Sequence, residues 1–404
     1  MADYEFLTVD NIGDHIRARS ALAGLINPDQ LVDVAEIGDG NLNLVFIAKD
    51  AEGKSICLKQ ALPYVRMVGE GWPMTPDRAR HEATSLKAHY ELVPDLVVEL
   101  YDFDPQRHIL ALADLSDHAV WRGALNNGET HLGAARAVGR YIGALAFGTS
   151  VFGLERLDLG ASQREAVNPE LCEITEDLVF TEPLVDAGRN SVLPANEPDA
   201  KALAEDRVFQ KAMAEAKWLF MTAGEALLHG DLHTGSVMVK ADGETSQVRV
   251  FDSEFAFYGP VAFDLGAIWA NLVIAAARAF ALGEDERAGW LLGEISEVWN
   301  GLSAEFMKLW PNRVDPRLWD DEFAAKRLDQ WQRQGWLFAA AKMSRRIVGA
   351  AKTTDIQTLP EPLREGAARG VLLVARALVS TEPSSPKTLS ELAKEILHSA
   401  RTNK

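Results

Sequence analysis

The stretch His229-Gly-Asp-Leu-His-Thr-Gly-Ser236 is the first of two acidic motifs, and Asp252-Ser-Glu254 is the second. An apolar lead-in precedes the first motif, and Val248–Phe251 alternates like a short strand before the second, so both motifs are predicted at the ends of elements. Phosphoryl transfer needs one carboxylate beside the acceptor hydroxyl and an acidic cluster that holds magnesium against the phosphates. Asp231 fits the first role, and the Asp252/Glu254 pair fits the second.

An isolated His-Gly-Asp also occurs in ordinary turns, where aspartate is a common residue. Two acidic motifs in this order favour phosphoryl transfer, and the interpretation requires that the amino-terminal part supply a clamp for ATP.

Composition and charge limit the classes of protein to which this chain can belong. The chain has 404 residues, 47% of them hydrophobic and 25% charged, which predicts a globular protein of two or three domains. Its formal net charge of −18 argues against nucleic-acid binding and against anionic membrane surfaces. The two cysteines, Cys57 and Cys172, have no metal-type spacing and fit a reduced, cytoplasmic compartment.

No membrane or export segment is expected. The acidic amino terminus lacks the basic start and apolar core of a secretory signal. The most apolar segment, 267–277, is shorter than the roughly 20 residues that cross a bilayer and is predicted to be a buried helix.

The periodicity changes near residue 116. Before it the pattern predicts one helix, which starts near Pro76-Asp77, and strands at Leu31–Ile37, Leu42–Ala48, Ser55–Ala61, Leu96–Leu100 and His108–Leu115. After it the pattern predicts a strand pair, Val237–Lys240 with Val248–Phe251, and helices at His131–Ser150, Ala200–Thr222, Ala262–Leu282, Glu284–Leu302, Asp321–Thr353 and Glu365–Val379. The expected fold is α+β: a small β-rich lobe, 1–115, and a larger, mostly helical lobe, 116–404.

The small lobe contains candidates for the ATP clamp. Gly38, Asp39, Gly40, Asn41 and Asn43 lie between two predicted strands, where glycines permit close backbone approach to phosphates, although such residues also form plain hairpin turns. Lys59 lies within an apolar strand, either paired with Glu82 of the following helix or facing solvent at a sheet edge. The order turn, strand lysine, helix glutamate matches the phosphate-holding arrangement of kinases.

The end of the last small-lobe strand, Ala113-Asp114-Leu115, falls where a hinge presents backbone groups to adenine. Asp114 is equally compatible with an ordinary turn.

These motifs resemble the 5-methylthioribose kinase family, which has a protein-kinase-like fold and is related to aminoglycoside and choline kinases. The resemblance covers most of the chain and includes Gly38–Phe46, Leu58–Arg66, Gly69–Trp72, His229–Ser236, Phe251–Pro260 and Ser344–Gly349. The related kinases usually have asparagine where Ser236 stands and Phe-Gly after the metal-binding aspartate. Many family members carry proline where Ser253 stands, which puts only the rigidity of that turn in doubt.

The resemblance implies that ATP, with Mg²⁺, phosphorylates the anomeric hydroxyl of 5-methylthioribose in methionine salvage. Asp231 is then the base, Asp252 and Glu254 bind the metal, and Lys59 with the 38–43 turn binds the phosphates. Arg345 and Arg346 would lie near the sugar and the transferred phosphate. Adjacent helical residues point about 100° apart, so this role is expected more firmly of one arginine than of both.

The resemblance further implies a homodimer and a loop around Trp72 that closes over the site, although Trp72 equally suits packing on the small lobe. His233 and Asp264 are expected to brace the loop of the base through hydrogen bonds.

Two rival interpretations remain at this point. In the first, the same fold phosphorylates an amino alcohol, an aminoglycoside or another sugar, since fold does not dictate substrate. In the second interpretation, the protein is a non-catalytic nucleotide-binding scaffold. Such a scaffold is expected to lack the base or the metal ligands, whereas this sequence has the candidate base and both candidate metal ligands.

Overall fold

The computed structural model describes residues 4–38, 42–66 and 69–402. Asp39, Gly40 and Asn41, three of the predicted ATP-binding residues, therefore lie outside the described residues. The strands are β1 Leu31–Glu36, β2 Asn43–Asp50, β3 Ser55–Ala61, β4 Tyr64–Val65, β5 Gly69–Pro73, β6 Leu100–Asp104, β7 Ile109–Ala113, β8 Ala119–Val120, β9 Ala226–Leu227, β10 Val237–Asp242, β11 Thr245–Val250 and β12 Tyr258–Gly259.

Helices dominate the chain after β8. The α-helices are α1 Ile12–Ala18, α2 Arg78–Leu92, α3 Trp121–Asn126, α4 Ala134–Gly148, α5 Arg156–Glu165, α6 Pro169–Thr175, α7 Glu197–Glu205, α8 Arg207–Thr222, α9 Val261–Ala281, α10 Asp285–Leu309, α11 Asp321–Ile347, α12 Thr354–Gln357, α13 Glu361–Thr381 and α14 Pro386–Thr402. The predicted α+β fold, with a small β-rich part and a larger helical part, is confirmed. The lobe boundary at residue 115 stays a prediction.

The small lobe is an antiparallel five-stranded sheet in the order β1-β2-β3-β7-β6. Its β2–β3 hairpin turns at Asp50 and Gly53: Gly53 has a φ of +82°, and Asp50 accepts backbone hydrogen bonds from Glu52 and Lys54. One face of the sheet covers an apolar cluster that includes Leu7, Ile12 and Phe46. This packing fixes the sheet, and with it the strand that carries Lys59.

Several predicted boundaries were wrong, among them the end of α10, which was expected at Leu302 and lies at Leu309. The strand expected at Leu96–Leu100 is at Leu100–Asp104, while the preceding Val97 only bridges Val250 of β11. Alternating acidic residues had masked this strand, and Asp102 is in fact paired with Arg19. The helix expected at Ala200–Thr222 divides at Asp206, whose side chain accepts backbone hydrogen bonds from the first turn of α8.

The helix expected to reach Thr353 ends at Ile347. Lys352 donates to the free carbonyl of Ile347 at 2.6 Å, an interaction typical of a helix carboxyl terminus.

The core of the large lobe is formed around α9. This helix is long and apolar enough to cross a membrane, but 94% of its most apolar window is buried inside the protein, so it is a core helix. It packs against α11 at two glycines. A Cβ on Gly266 of α9 would lie 2.6 Å from the Phe338 Cβ, and one on Gly335 of α11 would lie 2.6 Å from the Trp269 ring. Glycine at both positions lets the two helices approach closely, which aligns their site residues.

Candidate active site

The loop that carries Asp231 follows β9 and is held by backbone constraints. Gly230 has a φ of +84°, and a Cβ there would lie 2.0 Å from the Phe255 carbonyl oxygen, so only glycine fits. Asp264, from the first turn of α9, accepts hydrogen bonds from the amides of His229 at 2.8 Å and Gly230 at 3.2 Å. The bracing role predicted for Asp264 is confirmed.

His233 also braces this loop. Its Nδ1 accepts a hydrogen bond from the Gly235 amide at 3.0 Å, so the proton of the neutral ring resides on Nε2, which faces Asp231 Oδ2 at 3.4 Å. Burial lowers the pKa of His233 well below its usual value, and nearby cations add to the effect. The ring therefore stays neutral and serves as a support for the loop, as predicted.

Asp231 faces positive charge from helix α11. Lys342 donates to Oδ1 at 3.0 Å, and the Arg345 guanidinium lies 3.5 Å from the same oxygen. Burial by itself raises the pKa of the Asp231 carboxyl, but the surrounding cations, Lys342 first among them, outweigh burial and hold the pKa well below its usual range. Asp231 is therefore ionised at neutral pH.

Three cations, Lys342, Arg345 and Arg346, act on this carboxylate, and Arg122 lies beside the two arginines, although the whole chain is strongly acidic. Arg346 is 9% exposed and makes no hydrogen bond or ion pair through its side chain to any residue that the structure describes. Burial, and then repulsion by Arg345 and Arg122, lowers the pKa of the Arg346 guanidinium. Arg122 of α3 is held by Asn271 at 2.9 Å and Asp355 at 3.4 Å. A buried cation without a local partner indicates a place for an anion.

The second acidic motif follows β11. Asp252 has a φ of +68°, a strained conformation for a residue other than glycine, and its carboxylate pairs with the Lys59 ammonium. Lys59 also donates to both oxygens of Glu82, at 2.8 and 2.6 Å. Burial alone would lower the pKa of Lys59, but the carboxylates of Asp252 and Glu82 raise it. The strand lysine is therefore paired with Glu82 inside the cleft, and the solvent-facing alternative was wrong.

Glu254 is held by residues of the small lobe. Its Oε2 accepts from Arg78 Nε at 3.1 Å and from Asn43 Nδ2 at 3.1 Å. Arg78 is fully buried and also donates to the carbonyls of Leu42 at 2.9 Å, Leu62 at 2.6 Å and Thr75 at 2.7 Å. This one guanidinium ties the acidic motif of the large lobe to the small-lobe sheet and to the start of α2.

Ser253, between the two carboxylates of the second motif, has a local structural role. Its hydroxyl lies 2.7 Å from that of Ser85 on α2, and both side chains are buried. Because Glu82 is on the same helix, this contact helps to keep Glu82 and Asp252 together.

The donor set at the second motif suits a hard cation. One carboxylate oxygen from each of Glu82, Asp252 and Glu254 lies within 4.8 Å of the other two. Carboxylate oxygens are the ligands that Mg²⁺ prefers. The structure thus brings together the two predicted metal ligands, Asp252 and Glu254, and adds Glu82 beside them.

The other predicted ATP-binding residues line the small lobe. Gly38 is exposed two residues after the end of β1, and Asn43 begins β2. The segment Ala113–Leu115 follows β7, and the Asp114 side chain accepts a hydrogen bond from the Ser116 amide at 2.9 Å, as in an ordinary turn. The roles of these residues toward the nucleotide stay predictions.

Trp72 lies in β5, in the small lobe. The Cζ atom of Arg189 is 5.3 Å from its ring centroid, so the ring contacts the large lobe. The loop expected around Trp72 is therefore a strand here, and closure of this segment over a substrate stays a prediction.

Sequence reasoning missed Lys342, Arg78 and Arg122. Lys342 follows the apolar run Phe338-Ala-Ala-Ala341, and a lysine there calls for a partner, as Lys59 does in its strand. Arg78 had no such pattern around it, because a cation in the first turn of a helix resembles a surface charge. Arg122 is likewise brought to the site by contacts with residues far away in the sequence, which no local pattern indicates.

The paired lysine, the base loop and the acidic metal motif, set between a small β lobe and a helical lobe, define a phosphotransferase of the protein-kinase-like class. Residues 33–299 match the phosphotransferase enzyme family. Within this class the chain belongs to the methylthioribose kinase family. It is 39% identical to the methylthioribose kinase of Pectobacterium atrosepticum over 394 residues, covering 95% of this chain and 96% of the relative.

The methylthioribose kinase of Citrobacter koseri is 38% identical over 390 residues, covering 94% of this chain and 95% of the relative. Among solved structures, that of a microcompartment-associated aminopropanol kinase aligns with a TM-score of 0.49 and 13% identity, over 94% of this chain and 100% of that chain.

Proposed function

We propose that the protein transfers the γ-phosphate of ATP to the anomeric O1 hydroxyl of 5-methylthioribose and releases 5-methylthioribose 1-phosphate and ADP, a step of methionine salvage. The observation that best supports this activity is the ionised Asp231, held among Lys342, Arg345 and Arg346 in a chain of the methylthioribose kinase family. A carboxylate in this state accepts a proton, and the cations beside it suit a phosphoryl group.

In the proposed reaction a bond forms between the sugar O1 and the γ-phosphorus, and the bond between that phosphorus and the bridging oxygen of ADP breaks. Asp231 orients the hydroxyl and accepts its proton as the new bond forms. Arg345 and Arg346, with Arg122 behind them, supply positive charge for the transferred phosphoryl group.

The small lobe binds the nucleotide in this proposal. Lys59 contacts the phosphates and Glu82 orients it, as their present ion pair allows. The turn that contains Gly38 and Asn43 covers the phosphates, and Ala113–Leu115 offers backbone groups to adenine. Trp72 excludes water from the closed site.

Asp252 and Glu254 would hold Mg²⁺, with Glu82 close to both. When bound, the ion neutralises phosphate charge. Arg78 and Asn43 fix the Glu254 carboxylate from the small-lobe side, and Lys59 fixes that of Asp252. The two ligands are thus oriented by separate cationic partners.

The charge of the site disfavours the rival acceptors. Amino alcohols and aminoglycosides are cations and want an acidic pocket, whereas Lys342, Arg345 and Arg346 surround the base here. A neutral sugar fits this environment. A panel in which choline or an aminoglycoside is phosphorylated faster than methylthioribose would contradict the proposed acceptor.

The Asp231→Asn variant provides the direct test. We expect kcat to fall by about 10²–10⁴-fold while ATP binding is retained, because the amide cannot accept the proton. Phosphorus NMR of the product identifies both the acceptor and the modified oxygen. Asp242→Asn, at an exposed end of β10, is the control and should keep wild-type turnover. An unchanged kcat in Asp231→Asn would exclude Asp231 as the base.

Assembly and location belong to the same proposal. We expect a cytoplasmic homodimer, and light scattering of the purified protein measures its mass. The two cysteines are free in the structure, as in a reducing compartment.

A further inference from the structure

Lys342 is a buried lysine whose position calls for an explanation. It is 3% exposed, in the apolar part of α11, and a buried ammonium is costly unless it is paired. Its Nζ lies 3.0 Å from Asp231 Oδ1 on one side and 4.3 Å from the centroid of the Phe263 ring on the other. Carboxylate and ring together replace the lost water around the ammonium.

The contact selects one oxygen of the base. Among the residues that the structure describes, Lys342 is the only hydrogen-bond donor to the Asp231 carboxylate, and it uses Oδ1. Arg345, one helical turn further along α11, approaches that same oxygen at 3.5 Å. Within the described part of the chain, the nearest charged or titratable side chain to Oδ2 is the neutral His233 ring, at 3.4 Å. The two oxygens therefore have different surroundings.

We propose that Lys342 is a positioning residue for the base: its ammonium holds Asp231 Oδ1 against α11, so that Oδ2 is left to take the proton of the acceptor hydroxyl. This inference rests on the proposed function, because it assumes that Asp231 is the base. Helix α11 then positions the base through Lys342 in addition to supplying Arg345 and Arg346.

The packing around Lys342 makes the contact rigid. Phe263 directly precedes Asp264, the residue that holds the amides of the base loop. Helix α9 thus contacts Lys342 through Phe263 and the loop of Asp231 through Asp264. The glycine contacts at Gly266 and Gly335 keep α9 and α11 in register.

Charge supports the same role. The charged and titratable groups around Lys342 are Asp231 and His233 of the base loop, Asp264 of α9, and Arg345 and Arg346 of α11. Burial lowers the pKa of Lys342 to about 8, although Asp231 opposes this shift. Below that pH the ammonium is charged, and it lowers the pKa of Asp231 more than any other cation of the site does.

The test compares pH profiles of kcat/KM for Lys342→Met, Lys342→Arg and the wild type. Lys342→Met keeps the length of the side chain but removes its charge. The cation that lowers the pKa of Asp231 most is then absent, so this pKa rises and the acid limb of the profile should move to higher pH. We expect kcat to fall by about 10²-fold and KM for ATP to stay near the wild-type value.

Lys342→Arg keeps the charge at all accessible pH values. We expect the acid limb of its profile to stay at the wild-type pH. If deprotonation of Lys342 lowers the activity of the wild type above about pH 8, that decrease should be absent in Lys342→Arg. This variant keeps the proposal falsifiable if Lys342→Met does not fold, which thermal unfolding reports. An acid limb that shifts to higher pH in Lys342→Arg would overturn the positioning role.

Lys352 offers a matched control. It also has a pKa lowered to about 8 by burial, but its ammonium binds the carbonyls of Ile347 and Ser191 and no carboxylate. Lys352→Met should leave the acid limb in place. An acid limb at the wild-type pH in Lys342→Met as well would show that Lys342 only packs, and would overturn the proposal.

The choice of acceptor separates this proposal from the proposed function. If the wild type phosphorylates another acceptor better than methylthioribose, the profiles are measured with that acceptor. The sugar assignment then fails, while the role of Lys342 is still tested.

Discussion

At the residue scale, the site is built from charged side chains whose partners lie far away in the sequence. The pairing of Lys59 with Glu82 was predictable, because a lysine in an apolar strand needs a counter-ion and the next helix offers one. The salt bridge between Arg78 and Glu254 was not predictable, since the two residues are 176 positions apart and neither has a local pattern that indicates the other. Local chemistry thus identified the reactive groups but not all the groups that hold them.

Arg78 gives a stability prediction. Arg78→Met removes the guanidinium that donates to Glu254 and to three backbone carbonyls, and it leaves a buried carboxylate without its cation. Breaking a buried pair in this way costs about 3–5 kcal/mol, so we expect a loss of this size in urea unfolding at pH 7.

Arg80, on the same helix, is the matched control. Its pair with Asp77 is 39% exposed on the arginine side, and exposed pairs contribute about 1 kcal/mol or less. Equal losses in Arg78→Met and Arg80→Met would contradict the structural role given to Arg78.

At the element scale, long periodic helices were predicted well and their ends were not. Helix α9 was expected at Ala262–Leu282 and lies at Val261–Ala281, because a continuous apolar pattern defines it. The break at Asp206 depends on a capping hydrogen bond within an otherwise helical pattern. The displaced strand β6 depends on the pairing of Asp102 with Arg19, from outside the sheet. Both corrections come from polar contacts that periodicity does not detect.

The contact between α9 and α11 gives a prediction at this scale. Gly266→Ala places a methyl group 2.6 Å from the Phe338 Cβ and 2.7 Å from the Ala339 amide nitrogen. We expect a destabilisation of about 1–3 kcal/mol in thermal or urea unfolding. Activity should also fall, because the shift of α11 moves Lys342 and Arg345 relative to Asp231.

Gly289 of α10 is the control for this substitution, since a Cβ there meets nothing within 4 Å. Gly289→Ala should stabilise the protein by about 0.5–1 kcal/mol, because alanine favours the helix. A Gly266→Ala protein as stable as the wild type would contradict the close approach of the two helices.

At the scale of the whole molecule, a chain of contacts connects the small lobe to the end of α11. Trp72 of β5 contacts Arg189, which pairs with Glu182. Nearby, the Ser191 amide donates to the Val348 carbonyl at 3.1 Å, just beyond α11. The segment between Glu182 and Ser191 therefore lies between the tryptophan loop and the arginines of the site.

This arrangement predicts how Trp72 affects the fate of ATP. Trp72→Ala should admit water, so that hydrolysis of ATP rises relative to phosphorylation of the sugar. The ratio of phosphate to sugar phosphate, read by phosphorus NMR, measures the effect. Trp218→Ala, at a 58% exposed position on α8, should leave the ratio unchanged. An unchanged ratio in Trp72→Ala would show that Trp72 only packs between the lobes.

Gly266 and Gly335, at the contact of α9 with α11, also limit which substitutions this enzyme can accept during evolution. A larger side chain at either position would collide with the other helix, so we expect the base loop, its lysine and the arginines to be kept together as one unit. A descendant that adopts a new acceptor has to do so with side chains bordering this unit. Selection for altered specificity in the laboratory should therefore enrich substitutions around the rim of the cleft and leave both glycines untouched.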